Sequence, residues 1–235
     1  MTVLSIPGVA NVRDVGGMPV GATSRVRDGV LLRSGNLARL HPEGDALLRE
    51  RVRHVIDLRD DAEVQADPSK LTGVPTTRIP LFLGSAASFF AEDMNLEGMY
   101  RHLVDDAADR LVAAVRIIAA GEPTLVHCTV GKDRTGVTVA LALSAVGADR
   151  EAVIEDYALT ASQLPAERNR AIVAYFQAHM PDARHAIQLA TESPAPVMQA
   201  LLEGIDRRHG SAAGYLRAMG MTDAELEALG STLVE

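Results

Sequence analysis

Residues 124–147 read TLVHCTVGKDRTGVTVALALSAVG and contain the pattern that decides the fold. The segment Thr124–His127 is short and apolar, which predicts a strand, and Gly131–Gly136 is polar and bounded by glycines, which predicts a loop. An apolar helix is predicted from Val137 to Val146, and Gly147 ends it. A strand that leads through a glycine-containing loop into a helix is a building unit of α/β proteins.

The same alternation continues on the N-terminal side of this segment. Strand-like patterns cover Val30–Ser34, Val52–Leu58 and Arg78–Phe82, and Pro80 suggests that the last of them is an edge strand. Residues His41–Arg51 have a helical pattern. These elements predict a small sheet flanked by helices.

The C-terminal half is predicted to be helical. Apolar residues recur at helical spacing from Tyr100 to Ile118, which predicts one helix, and Gly121 and Pro123 end it. Further helices are predicted near residues 150–158, 162–179, 194–208, 211–219 and 222–229. The order of elements predicts an α/β fold with a helical C-terminal part, in a single domain over residues 1–235.

Composition excludes several classes of function. The chain has 23 basic and 31 acidic residues, a net charge of −8, which disfavours a nucleic-acid partner. A lone cysteine excludes an intrachain disulfide framework and multi-cysteine metal sites, and the histidines form no close pairs, so no metal and no cofactor is expected. No run approaches the roughly 18 apolar residues of a membrane span. The N-terminus is a poor signal peptide, so we expect a cytoplasmic protein, with unconventional secretion left open.

The loop after the strand has the chemistry of an anion site. The start of a helix offers unpaired backbone N–H groups and a positive dipole, and Gly131 and Gly136 allow the backbone to curl around an anion. Arg134 can bind two anion oxygens at once. Cys128 lies at the base of this loop, where a thiolate is favoured over a thiol. A phosphate bound in the loop would therefore have a nucleophile directly below it. The hydroxyl of Thr135 can stabilise that thiolate as a leaving group.

The pattern Cys-x5-Arg-Thr-Gly after a strand resembles the signature of the protein-tyrosine phosphatase superfamily. The fuller string HCTVGKDRTG is similar to the bacterial family of tyrosine and phosphoinositide phosphatases known as the protein-tyrosine phosphatase B or LipA type. Four other segments match that family, namely Asn11–Gly17, Arg33–Gly35, Asp57–Arg59 and Asp156–Tyr157. The resemblance implies a tyrosine-phosphatase-like fold with a small, mainly parallel central sheet. Because family members have helical lids, residues 161–190 are candidates for a cover over the site, although core packing is their plainer interpretation.

The resemblance also implies a two-step reaction. Cys128 attacks phosphorus, a phosphocysteine forms, and water then hydrolyses it, with Arg134 holding the phosphate. His127 is expected to support the loop from behind the nucleophile. The loop residues predicted to bind phosphate are Thr129, Val130, Gly131, Lys132, Asp133, Arg134 and Thr135.

The proton donor is the open question, because the chain has no Trp and therefore lacks the usual Trp-Pro-Asp loop. Asp133 is the first candidate, with helix capping or pairing to an arginine as the alternative. Asp57 is the second candidate and could equally orient the loop's arginine. Asp93, in a segment that could form a lid loop, is the third. Lys132 is one of only two lysines and resembles the extra cation of phosphoinositide phosphatases. The alternative is a lysine that faces solvent.

The expected substrates are phosphotyrosine proteins, with phosphoserine, phosphothreonine and phosphoinositides as further candidates. Two alternatives stay open: a phosphate-binding pseudophosphatase without activity, and a rhodanese-like sulfurtransferase, which also uses a lone cysteine at a loop. The Arg134-Thr135 pair favours phosphate chemistry over sulfur transfer. The physiological substrate and the oligomeric state stay open.

Overall fold

A computed structural model describes residues 1–82, 94–180, 182 and 185–235 of the chain. Its strands are β1 Thr2–Val3, β2 Arg13–Asp14, β3 Pro19–Val20, β4 Ser24–Arg25, β5 Leu31–Ser34, β6 His54–Asp57, β7 Thr76–Arg78 and β8 Thr124–His127. Its helices are α1 Pro42–Arg51, α2 Asp61–Ala66, α3 Leu96–Asp106, α4 Ala108–Ala119, α5 Asp133–Ala145, α6 Arg150–Gln163, α7 Ala166–His179, α8 Ala186–Thr191, α9 Ala195–His209, α10 Ala212–Ala218 and α11 Asp223–Leu233.

The main sheet has six strands in the order β1-β2-β5-β8-β6-β7. The adjacent strands β5, β8, β6 and β7 are parallel. Strands β1 and β2 add an antiparallel edge beside β5. Strands β3 and β4 pair separately as a hairpin. The predicted α/β class, with a small and mainly parallel sheet, is therefore confirmed.

Side chains from the central strands alternate between two hydrophobic clusters. Leu31, Ile56 and Val126 pack into the larger cluster with the C-terminal helices. Their chain neighbours Leu32, Val55 and Leu125 point to the other side and pack against α1. Because successive strand residues face opposite sides of a sheet, the short apolar strands can be covered by helices on both faces.

The strand order places β8 between β5 and β6. Val126 is in register with Arg33 on one side and with Ile56 on the other. All three strands run in the same direction, so their carboxyl ends meet at one edge of the sheet. The segment that follows β8 is therefore surrounded by the segments that follow β5 and β6, which is where ligands bind in open parallel sheets.

Several predicted boundaries were wrong. The single helix expected from Tyr100 to Ile118 is two helices, α3 and α4, because the backbone leaves the helical conformation at Ala107 (φ −115°, ψ 22°). The strand expected over Arg78–Phe82 is β7, which ends at Arg78, although it does lie at the sheet edge. Helix α8 was not predicted. No helix in the described part of the chain is long and apolar enough to cross a membrane.

Candidate functional site

The segment Cys128–Lys132 joins the central strand β8 to helix α5. Gly131 is essential to its shape, because φ is +70° and a Cβ atom at this position would lie 2.2 Å from the carbonyl oxygen of Ser34. Only glycine fits such a positive φ at such a close approach. The segment is thereby pressed against the end of β5.

Helix α5 begins earlier than the sequence pattern predicted. The loop expected over Gly131–Gly136 ends at Lys132, and Asp133 is the first helical residue. Asp133, Arg134 and Thr135 thus form the first helical turn, where backbone N–H groups have no partner within the helix. Cys128 lies at the opposite end of the loop and is only 2% exposed.

Arg134 is held by Glu63, a residue that the sequence analysis did not single out. Its Nη1 donates to Glu63 Oε2 at 2.6 Å, and its Nη2 donates to Glu63 Oε1 at 2.7 Å. Burial disfavours a charged Glu63, but the hydrogen bond and the charge of Arg134 outweigh burial and lower the pKa of Glu63 to about 2. The Thr129 hydroxyl also donates to Glu63. An ionised carboxylate therefore fixes the orientation of the guanidinium.

The sequence gives Glu63 only a local role. It is the third residue of α2 and completes a capping box with Asp60, accepting a hydrogen bond from the Asp60 backbone N–H at 3.0 Å. An Asp-x-x-Glu pattern predicts the start of a helix. It contains no signal for a partner 71 residues further along the chain.

Asp133 is bound by two neighbours. Lys132 Nζ lies 2.5 Å from its Oδ1, and the Tyr100 hydroxyl donates to the same oxygen at 2.8 Å. Burial and the adjacent Asp133 carboxylate raise the pKa of Tyr100 well above its usual value, so this hydroxyl keeps its proton. Lys132 is fully buried, which excludes the alternative of a solvent-facing side chain. Asp133 forms its ion pair with Lys132, so the alternative that it pairs with an arginine is not seen among the described residues.

Asp57 pairs with Arg59 and not with the loop's arginine. Arg59 Nε and Nη2 donate to its two carboxylate oxygens at 2.9 and 2.7 Å. Burial opposes ionisation, yet the hydrogen bond from Arg59 and the nearby His127 hold the pKa of Asp57 below its usual range. Both oxygens of Asp57 are therefore occupied by Arg59, whereas the two donors to Asp133 share a single oxygen, Oδ1.

His127 is buried behind the loop. Its Nδ1 lies 3.2 Å from the carbonyl oxygen of Cys128, and its Nε2 lies 3.7 Å from Asp57. Burial lowers the pKa of His127 despite the nearby carboxylate, so the ring is neutral at pH 7. The Thr135 hydroxyl is also buried and has no hydrogen-bond partner among the described residues. Asp93 lies outside the described residues.

A cavity of about 260 Å³ opens above Cys128. Its polar side chains come from α2, from the Cys128–Lys132 segment, from the first turn of α5 and from α7. Helices α7 and α8, which lie largely within residues 161–190, the candidate cover segment, provide much of the remaining wall. The lining residues are Glu63, Phe82, Met99, Cys128, Thr129, Val130, Asp133, Arg134, Arg168, Ile172, Tyr175, Phe176, Leu189 and Ala190. The cavity therefore has a charged floor and largely apolar walls.

A buried thiol, an arginine on a helical first turn and a glycine-shaped loop share one cavity, and a model of the tyrosine phosphatase family matches residues 4–235. The chain belongs to the tyrosine phosphatase family. The triple specificity protein phosphatase PtpB of Mycobacterium tuberculosis is 28% identical over 286 aligned positions, which cover all of both chains. A tyrosine-protein phosphatase of Nostoc commune is 28% identical over 221 positions, which cover 84% of this chain and 72% of the relative. The resemblance stated from the sequence is confirmed, and the chain is a cysteine-dependent phosphatase.

Three of the four outlying segments that carried the resemblance meet in this member of the tyrosine phosphatase family. Asp156 of α6 lies between Arg13 and Arg33, with Nε of Arg13 at 2.6 Å and Nη1 of Arg33 at 2.5 Å. Burial opposes a charged Asp156, but the two guanidinium groups keep its pKa below the usual range. This buried ion triad ties the N-terminal strands to the helix that follows α5.

Proposed function

We propose that this phosphatase hydrolyses phosphotyrosine monoesters and that Cys128 is its nucleophile. The observation that carries the proposal is the cavity itself, in which a buried cysteine and Arg134 lie beneath apolar walls. A phosphorylated aromatic ring matches both parts of this cavity, because its phosphate suits the charged floor and its ring suits the walls. Phe82, whose ring lies 4.9 Å from the Arg134 guanidinium, adds an aromatic surface next to the phosphate position.

In the first step, the Cys128 thiolate forms a bond to phosphorus while the bond from phosphorus to the ester oxygen breaks. The leaving oxygen takes a proton from Asp133, which gives a neutral phenol and a phosphocysteine. In the second step, water attacks phosphorus, its proton returns to Asp133, and the thiolate leaves. The proposed donor to that thiolate is Thr135, whose buried hydroxyl has no hydrogen-bond partner in the described part of the chain.

Arg134 and the backbone N–H groups of residues 129–135 are the proposed phosphate ligands. Glu63 accepts one hydrogen bond from each terminal nitrogen of the guanidinium and so keeps this side chain ordered in the absence of substrate. An ordered cation stabilises the charge that develops on the phosphoryl oxygens at little cost in reorganisation. Glu63 is therefore proposed as a positioning residue.

Phosphoserine, phosphothreonine and phosphoinositides are proposed as further substrates. The relative in M. tuberculosis is named a triple specificity protein phosphatase, which supports a broad range of phosphoproteins. Phosphoinositides are proposed because Lys132 resembles the extra cation of phosphoinositide phosphatases, and in this structure it is buried and paired with Asp133 beside the cavity. The assay therefore includes a phosphoinositide separately from the phosphopeptides.

The test is hydrolysis of p-nitrophenyl phosphate, a phosphotyrosine peptide, a phosphoserine peptide and a phosphoinositide, side by side. Wild-type protein is expected to hydrolyse the first two fastest, and Cys128→Ser is expected to lose all activity while still binding phosphate. A wild type that binds phosphate but releases none from any ester at pH 5–7 would identify a pseudophosphatase. Sulfur transfer from thiosulfate to cyanide, without phosphate release, would identify a rhodanese-like enzyme.

The role of Asp133 has its own test, which compares aryl phosphates with good and poor leaving groups. Asp133→Asn is expected to slow the poor leaving groups far more than the good ones, because only the former need a proton in the transition state. Asp57→Asn is the comparison variant, since this carboxylate is paired with Arg59. Equal slowing of all esters by Asp133→Asn would remove Asp133 as the acid.

A further inference from the structure

The three carbonyl groups at the centre of the phosphate loop all have hydrogen-bond donors from outside the loop. The Thr129 oxygen accepts from the backbone N–H and from Nδ2 of Asn36, both at 3.0 Å. The Val130 oxygen accepts from Nδ2 of Asn11 at 2.9 Å. The Gly131 oxygen accepts from the same Nδ2 at 3.1 Å and from Nη2 of Arg33 at 2.7 Å.

These contacts fix which way the loop's N–H groups point. In a trans peptide unit the C=O and the N–H are on opposite sides of the bond, so binding one of them on the outside turns the other away from that side. With the carbonyls of residues 129–131 held by Asn36, Asn11 and Arg33, the N–H groups of residues 130–132 are directed away from these donors. Successive N–H groups on one side of a curled backbone form an anion-binding nest.

Asn11 has the most constrained place among these donors. It is 4% exposed, and its φ of 60° makes it the only non-glycine residue with a positive φ in the described part of the chain. Its Oδ1 accepts a hydrogen bond from Arg13, which leaves the Nδ2 group directed at the loop. Asparagine is one of few residues that tolerate a left-handed backbone, and no side chain other than Asn or Gln offers a neutral NH2 beside an acceptor oxygen.

We propose that Asn11 is a positioning residue for phosphate binding, which holds the Val130 and Gly131 carbonyls so that the loop's N–H groups face the phosphate. This role rests on the proposed function, because it assumes that the loop binds the phosphate of a substrate. It does not involve contact between Asn11 and the substrate. Asn11 acts through the backbone that it binds.

The test uses two substitutions of Asn11. Asn11→Asp keeps the size, the tolerance of positive φ and the acceptor for Arg13, but it replaces the NH2 donor by an oxygen that faces two carbonyl oxygens. Asn11→Gly removes the side chain and relieves the left-handed strain, which protects folding. Asn95→Asp is the matched control, because Asn95 is an exposed helix cap whose acceptor oxygen an aspartate retains.

Binding of inorganic phosphate and of vanadate is measured by calorimetry in the Cys128→Ser background, so that it does not depend on turnover. Both Asn11 variants are expected to raise the dissociation constant about tenfold. A change of this size corresponds to the loss of about one good hydrogen bond. The Asn95 control is expected to match the parent. A merely structural role would lower the folded fraction and the melting temperature without changing the dissociation constant of the folded molecules.

Unchanged phosphate affinity in a folded Asn11→Gly protein would overturn the proposal, whatever happens to Asn11→Asp. The failure of the proposed function is distinguishable from this result. If wild-type protein hydrolyses no phosphate ester, while phosphate still binds and the Asn11 variants weaken that binding, the positioning role stands and the catalytic function fails. If phosphate does not bind to the Cys128→Ser parent at millimolar concentration, both proposals fail together.

Discussion

Replacing Glu63 by Gln measures how strongly the loop's arginine is held before substrate arrives. Glutamine keeps the volume, and its one oxygen can keep the capping-box contact to Asp60. The change removes the negative charge and also one of the two oxygens that accept from Arg134. The pKa of Glu63 is lowered from 4.5 to about 2, which corresponds to about 3 kcal/mol of stabilisation at pH 7. Because 19% of the side chain is exposed, screening reduces the expected loss to about 2 kcal/mol.

The assay is equilibrium unfolding in urea at pH 7 and pH 3, together with thermal unfolding. For a chain of this length, a loss of about 2 kcal/mol lowers the melting temperature by about 4–8 °C. A lowered carboxyl pKa stabilises the fold above pH 4.5, and this contribution disappears as the pH falls through the folded-state value. The gap between wild type and Glu63→Gln is therefore expected to narrow at pH 3.

Asp61→Asn is the matched control on the same helix. Asp61 also pairs with an arginine, Arg78, but its side chain is 89% exposed. An exposed ion pair contributes little, so this variant is expected to melt within about 2 °C of the wild type. If Glu63→Gln melts as close to wild type as Asp61→Asn does, or if its stability gap is the same at pH 3 and pH 7, the buried pairing of Glu63 with Arg134 is refuted.

Two further predictions concern the buried network around the loop. Asp156→Asn is expected to cost about 3 kcal/mol in urea unfolding at pH 7, because Arg13 and Arg33 stay buried without a counter-charge; a loss below about 1 kcal/mol would contradict the ion triad. The Asp156 contribution is present above the ordinary aspartate pKa and shrinks as the pH falls below it, because the two arginines keep the pKa of Asp156 low against the effect of burial. Tyr100→Phe removes the hydroxyl that donates to Asp133 and is expected to slow aryl phosphates with poor leaving groups more than those with good ones. Uniform slowing would show that Tyr100 does not act through Asp133.

The phosphate loop could be predicted from the sequence because its determinants are local. A strand, two glycines, a cysteine and an arginine lie within one short segment, and each has a direct effect on the backbone or on the anion. The helix break at Ala107 could not be predicted, because the apolar stripe of α3 continues in α4 and alanine favours a helix. Tertiary packing decides that break.

The partners of the loop's side chains were the hardest part to predict. Asp57 precedes an arginine by two residues, yet nothing in the sequence indicates that it pairs with Arg59 and leaves Arg134 to Glu63. Such choices depend on where separate segments meet in space. Asn11 and Asp156 were recognised as parts of a family pattern, but the pattern carried no information about their contacts with the loop and with Arg13.

The buried pair of Arg13 and Asp156 joins residues 143 positions apart, and this separation has a consequence for how the enzyme becomes active during folding. Contacts between distant parts of a chain carry a loop-closure cost that must be met before the contact stabilises the fold, which slows folding. Helix α5 can form from local contacts, but the loop before it is held by Asn11, which reaches it only when the first strands have docked beside α6. The phosphate site is therefore complete only once the N-terminal segment has docked, and we expect a newly synthesised chain to have no turnover before that contact forms.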